Sequence, residues 1–184
     1  MPQFLIEGGY PLRGTARIHG SKNASLPILA ATLLTSEPCV LRGVPDISDV
    51  HTFLDILRGL GAKAEFSRGT ITIQTEKITS HEPAKEGVKQ MRASILLLGP
   101  MLARAGKLKM FFPGGCVLGK RSVHAHTHAL HSLGATVEEN EEGIEARAEK
   151  LKGAKVIMTE ASVTATENAL MAAVLAEGRT EIHW

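Results

Sequence analysis

The stretch Ser21-Lys-Asn-Ala-Ser-Leu-Pro-Ile-Leu-Ala-Ala-Thr-Leu-Leu34, followed by Cys39-Val-Leu-Arg-Gly43, recurs twice along the chain with its order kept. The second copy is Met91-Arg-Ala-Ser-Ile-Leu-Leu-Leu-Gly-Pro-Met-Leu-Ala103 with Gly106-Lys-Leu-Lys-Met-Phe-Phe112. The third is Ser162-Val-Thr-Ala-Thr-Glu-Asn-Ala-Leu-Met-Ala-Ala-Val-Leu-Ala176 with Gly178-Arg-Thr-Glu-Ile-His183. Each copy opens on a small or charged lead-in, runs at helical length through Ala, Leu and Met, and ends in a glycine-punctuated strand. Ala24-Ser25 and Ala93-Ser94 stand 69 residues apart, and Leu60-Gly-Ala62 and Leu133-Gly-Ala135 stand 73 apart. A steady spacing of about 70 marks duplicated units.

A second, amphipathic helix is expected in each of the first two units. Val50, Phe53, Leu54, Leu57 and Leu60 share one face of the first, and His124 to Leu133 form the other. The Gly-Ala after each predicts a C-cap. Alternating strands follow, at 63–66 and 70–74 in one unit and at 136–139 and 143–148 in the other. A βαβαββ unit accounts for this order. The first helices are apolar nearly all round, which places them inside, with the second helices and the sheets outside. By the repeat's own length the third unit lacks its second helix and last strands, so the sequence reads as truncated there.

At 184 residues, with 43% hydrophobic residues, the chain has material for a real core. Net charge is only +2 and aromatics are 4%, so neither a basic footprint nor a stacking surface points to nucleic acid. The start lacks the basic and apolar regions of a secretory signal, and the apolar runs at 25–34 and 93–103 are too short or interrupted to span a bilayer. Cys39 and Cys116 are the only cysteines, without CxxC or metal-ligand spacing. A reducing cytoplasm fits that usage, with no membrane partner.

Phe112-Pro-Gly-Gly-Cys-Val-Leu-Gly-Lys-Arg121 holds Cys116 between flexible backbone and two cations. Gly114 and Gly115 let a ligand approach the main chain, and Lys120 and Arg121 favour the thiolate and attract anions. The bland alternative is a buried small hydrophobe. The glycines and cations favour chemistry.

Ser21-Lys22-Asn23 precedes the first inner helix, so Lys22 either joins the helix amides in an anion site or is a solvated lysine beside an N-cap. Arg92 takes the matching place in the second copy, and Ser162, Thr164 and Thr166 bring hydroxyls to the third, as ligand groups or as caps. His124, His126, His128 and His131 invite a metal reading, but no carboxylate or cysteine stands close in sequence, and an exposed polar face explains them better. The glycine pairs lack a P-loop ending. Glu138 to Glu142 reads as a solvated hairpin.

Together, Ser21-Lys-Asn-Ala24, Lys89-Gln-Met-Arg-Ala-Ser94, Pro113-Gly-Gly-Cys-Val-Leu-Gly119 with Arg121, and Ser162-Val-Thr-Ala-Thr-Glu-Asn168 resemble the UDP-N-acetylglucosamine 1-carboxyvinyltransferase branch of the enolpyruvyl transferases. The likeness runs the whole chain in order. It implies an α/β (α+β) fold of the inside-out α/β barrel type, truncated in the third unit. Residues 21–184 would form the cysteine-loop domain, and residues 1–20 would be N-terminal strands that pack with a second domain absent from this chain. The implied activity is transfer of the enolpyruvyl group of phosphoenolpyruvate to the 3-hydroxyl of UDP-N-acetylglucosamine, an early step of peptidoglycan synthesis, without a cofactor or metal.

The resemblance assigns Cys116 as the thiol that protonates the enolpyruvyl carbon or adds to it. It gives Lys22, Asn23 and Arg121 to phosphoenolpyruvate. To UDP-N-acetylglucosamine it gives Asn23, Arg92, Arg121, Ser122, Val123, His124, Ala125, His126, Glu160, Ala161, Ser162 and Val163. A general-base Asp and two further Arg belong, in the family, to the second domain, so the chain alone is expected to be inactive. Where the family pattern reads Arg-Pro-Val-Asp-Leu-His, this chain has Arg121-Ser-Val-His-Ala-His126, with Ser122 for Pro and His124 for Asp. A rival from another class is a self-standing sugar-nucleotide or anion-binding module that performs no chemistry.

Overall fold

The structure is a computed structural model that describes residues 3–114 and 122–184. After a lead without helix or strand, α1 (Lys22–Ala31) starts where the Ser21 hydroxyl accepts the Ala24 N–H at 3.3 Å and tightens into a 3₁₀ turn, Thr32–Leu34. β1 (Cys39–Arg42), α2 (Ser48–Gly59), β2 (Lys63–Ser67) and β3 (Thr70–Gln74) complete the first unit. The second contains α3 (Lys85–Gln90), the 3₁₀ segment Arg92–Leu97, α4 (Leu98–Ala105), β4 (Lys107–Phe111), α5 (His124–Ser132), β5 (Thr136–Glu139) and β6 (Gly143–Arg147). The third contributes β7 (Lys155–Ile157), α6 (Val163–Val174) and β8 (Glu181–His183).

The duplication expected from spacing is visible in the sheets. β1-β3-β2 and β4-β6-β5 share the same order, and both are antiparallel throughout. β7 and β8 pair in parallel across α6, the opening βαβ step of the unit. The caps repeat as well. Gly61 N–H donates to Arg58 O at 3.0 Å and Ala62 N–H to Leu57 O at 3.0 Å. Gly134 N–H donates to His131 O at 2.9 Å and Ala135 N–H to Leu130 O at 3.0 Å. These are the paired bonds of a Schellman motif, and the glycines sit at φ 113° and 87°, where a side chain is strained.

Inner and outer helices sort as their composition dictates. α1, the Arg92–Leu97 segment, α4 and α6 pack on one another, with α2 against α1 and α5 against α6. Phe53, Leu54 and Leu57 of α2 are fully buried, as are Ile95 to Leu98. Burying one such side chain contributes roughly 1.5–3 kcal/mol. Gly99 lets α4 and α6 touch, because a Cβ there would stand 2.4 Å from the Asn168 carbonyl oxygen.

Four features differ from the sequence expectation. The second inner helix begins as 3₁₀ and becomes α-helical only from Leu98. α3 and β7 are short elements the periodicity does not announce. Residues 3–20, expected as strands, form neither helix nor strand, and Phe4, Leu5 and Ile6 are almost wholly exposed. A strand needs a neighbour for its ladder bonds, and none of these residues pairs with a described strand. No helix among the described residues is long and apolar enough to cross a membrane.

Candidate functional site

The three motif-bearing starts stand on inner segments that pack on one another. Lys22 is the first residue of α1, Arg92 opens the 3₁₀ segment, and Ser162 caps α6 by accepting the Ala165 N–H at 3.3 Å. α1 rests on the Arg92–Leu97 segment and on α6.

Hydrogen bonds then tie the second and third starts to the residues after the cysteine loop. Arg92 Nη2 donates to the Ser122 carbonyl at 3.1 Å. Ser122 Oγ accepts the His124 N–H at 3.0 Å, so the serine that stands for the family's proline still fastens the turn into α5. Val123 and Ala125 face the core and His124 faces outward, with its ring 6.1 Å from that of His128.

His126 turns inward, 2% exposed, against the sequence expectation of an exposed histidine face. Its partners explain why. Nδ1 lies 2.9 Å from Asn168 Nδ2 and Nε2 lies 3.3 Å from Thr164 Oγ1, so a buried polar ring is satisfied at both ends. Burial, aided by the positive charge of Arg92, lowers its pKa from 6.5 to about 4, which keeps the ring neutral. Among the described residues no three His, Cys, Asp or Glu side chains gather as a metal set.

Lys22 is exposed and its Nζ lies 3.0 Å from Asp49 Oδ2, in the first turn of α2. Both side chains are well solvated, so the pair contributes little stability and the ammonium is available to a stronger anion. Asn23, Glu160 and Ala161 are exposed, Ser162 is half-buried, and Val163 is exposed. Cys116, Lys120 and Arg121 lie outside the described residues. The loop's near edge is anchored, because Phe112 N–H donates to Glu142 O at 3.2 Å and Gly114 N–H to Val88 O at 3.2 Å. A Cβ on Gly114 would meet the Lys89 carbonyl oxygen at 1.8 Å, so that glycine is required where the loop leaves the body. Two open clefts of about 430 and 440 Å³ border β4, β6 and residues 79–85, and neither touches these site residues.

The structure therefore joins Arg92, Ser122–His126 and Ser162–Val163 through direct bonds and chain continuity, and places Lys22 and Asn23 on an inner helix of the same layer. Sequence reasoning missed Asp49, Thr164 as a bonded neighbour of His126, and Asn168. The available signal was the spacing of Thr164 and Asn168, four residues apart and hence on one helical face.

Residues 6–184 match the model of the family EPSP synthase (3-phosphoshikimate 1-carboxyvinyltransferase). The chain is 48% identical over 182 residues to UDP-N-acetylglucosamine 1-carboxyvinyltransferase 2 of Carboxydothermus hydrogenoformans, covering 99% of this chain and 43% of that protein. It is 46% identical over 185 residues to UDP-N-acetylglucosamine 1-carboxyvinyltransferase of Coxiella burnetii, covering 100% of this chain and 43% of that one. Thus it spans less than half the length of these curated relatives. Among solved structures, the enolpyruvyl transferase NikO from Streptomyces tendae superposes with a TM-score of 0.80 at 21% identity, over 95% of this chain and 41% of that one. EPSP synthase from Acinetobacter baumannii gives 0.72 at 21% identity, over 92% of this chain and 40% of that one. At that identity the two structures speak for the fold.

Proposed function

The chain belongs to the EPSP synthase family, and on that premise we propose that it supplies the cysteine-loop half of a cytoplasmic enzyme that moves the enolpyruvyl group of phosphoenolpyruvate to the 3-hydroxyl of UDP-N-acetylglucosamine. Such an enzyme feeds peptidoglycan synthesis and through it cell-wall growth. The choice of acceptor follows the names of the relatives at 46% and 48% identity. One structural observation carries the site: the Arg92–Ser122 bond and the His126–Thr164 and His126–Asn168 contacts link three motifs far apart in sequence.

In this reading Lys22, Asn23 and Arg121 hold the phosphate and carboxylate of phosphoenolpyruvate. A dianionic ligand needs fixed cations, and charge-assisted bonds to it are stronger than neutral ones. Arg92, Ser122 to His126 and Glu160 to Val163 hold the sugar nucleotide, with His126 acting from behind. Cys116 gives its proton to C3 of the enolpyruvyl group as the sugar hydroxyl oxygen bonds to C2. The Cys116 thiolate then takes a C3 proton back as the C2–O bond to phosphate breaks, which expels phosphate and restores both the double bond and the thiol. A base for the sugar hydroxyl and further cations come, in this reading, from a second domain, with residues 1–20 packing beside it.

The test is a titration of the ¹⁵N-labelled 184-residue chain with UDP-N-acetylglucosamine, followed by amide shifts. Saturable shifts at residues 92, 122–126 and 160–163 support the assignment. Shifts confined to the clefts beside β4, or none at all, refute it.

A further inference from the structure

Asn168 and Thr164 are not among the ligand-holding residues named above, yet they bond both nitrogens of the one buried histidine in the cluster. Asn168 is 0% exposed, and the backbone dictates which way its amide faces. Oδ1 accepts the Gly99 N–H at 2.7 Å, and Nδ2 donates to the Ile95 carbonyl at 2.9 Å. Turning the amide over would oppose two donors at one end and two acceptors at the other. The second N–H of Nδ2 therefore points at His126 Nδ1, 2.9 Å away, and that nitrogen must be an acceptor. A neutral imidazole with a bare Nδ1 carries its proton on Nε2. Nε2–H in turn donates to Thr164 Oγ1 at 3.3 Å.

The chain of donors ends at the Thr164 hydroxyl. It already receives a hydrogen bond from His126, and its own hydrogen has no acceptor among the described residues. The residue is half-buried, and its neighbours Glu160, Ala161 and Val163 are exposed, so Thr164 stands at the edge of the surface given above to the sugar nucleotide. Arg92, close enough to depress His126, adds positive charge there.

We propose that Thr164 is a further ligand-contacting residue, whose hydroxyl donates to a phosphate oxygen of the bound sugar nucleotide, with Asn168 and His126 as positioning residues that keep it a donor. The inference rests on the sugar-nucleotide reading for the identity of the ligand and on the hydrogen-bond chain for the role of the hydroxyl. Asn168 sets the tautomer, the tautomer sets the direction of the His126–Thr164 bond, and that direction leaves the threonine hydrogen for the ligand.

Two measurements on the 184-residue chain test it. A long-range ¹H–¹⁵N correlation of the His126 ring should show Nδ1 bare and Nε2 protonated at pH 7. Binding of UDP-N-acetylglucosamine and, separately, of inorganic phosphate should weaken about tenfold or more in Thr164→Val, and stay within about threefold of wild type in Thr164→Ser, which restores the donor. A ring protonated on Nδ1, unchanged binding in Thr164→Val, or no binding of either probe by the wild type overturns the proposal. If phosphate binds with this dependence while UDP-N-acetylglucosamine binds no tighter than phosphate, the hydroxyl keeps its role and the sugar-nucleotide reading fails.

Discussion

Acid should loosen this protein through His126. The ring titrates near 6.5 in an unfolded chain and at about 4 in the fold, first because burial disfavours its charge and second because Arg92 repels it. Between those values the unfolded state holds a proton that the folded state does not. Stability therefore falls as pH drops from about 6.5, and the loss is complete below about 4. The gap corresponds to about 3 kcal/mol, a large share of a domain's usual stability. The hydrogen bonds point the same way, since a proton on Nδ1 would face the N–H of Asn168, and one of those bonds would have to break. Urea unfolding at pH 7, 6, 5 and 4, run in parallel on wild type and the non-titrating His126→Gln, isolates this contribution because the other carboxylates and histidines cancel in the difference. The wild type should lose about 3 kcal/mol more than the variant between pH 7 and 4. Parallel pH profiles, or a His126 ring resonance titrating at about 6.5 in the folded chain, would refute the reasoning.

Three further outcomes are expected. Gly99→Ala forces apart α4 and α6 at the Asn168 carbonyl and should cost about 1–3 kcal/mol in a thermal melt, whereas Gly59→Ala in α2, with nothing within 4 Å of the new methyl, should be neutral or slightly stabilising. Arg104→Met keeps the side-chain stem but strands the carbonyls of Leu33, Thr35, Thr75 and Glu76, all of which accept from this guanidinium, and should cost about 2–4 kcal/mol by urea titration. Fosfomycin, an epoxide shaped like phosphoenolpyruvate, should label Cys116 before Cys39 in a mass-spectrometric time course, since Cys39 is half-buried with its Sγ 3.7 Å from the Glu37 carbonyl. Equal labelling of both thiols would count against an activated Cys116.

The sequence disclosed what was written locally or twice. The Val50–Leu60 stripe, both Gly-Ala caps and the two antiparallel hairpins stand close to where spacing and alternation put them, because their signals sit within a few residues. α3 was hidden because six residues around one buried Val88 show no periodicity, and β7 because three residues cannot show alternation. The 3₁₀ start at Arg92–Leu97 looked like the α-helix that follows it. In the site, Arg92 and the hydroxyls of the third start were legible from repetition. His126 faces inward against its local pattern because its partners lie 38 and 42 residues downstream, beyond the reach of any local signal. Asp49 was invisible for the same reason, 27 residues from Lys22.

The bonds that stitch the inner helices also have a kinetic meaning. Asn168 reaches Gly99 across 69 residues and Ile95 across 73, and Arg104 reaches Leu33 across 71 and Thr35 across 69, so each joins residues one repeat apart. Closing a flexible loop of that length carries an entropic penalty of about 4 kcal/mol before any contact forms. The carbonyls of Leu33, Thr35 and Ile95 and the amide of Gly99 find these partners only when the helix one repeat later has been synthesised and has docked. Folding of the first unit is thereby tied to the second and of the second to the third, and a nascent chain carries an incompletely covered apolar layer until the Asn168-bearing helix arrives. High contact order of this kind slows the search and lengthens exposure to aggregation.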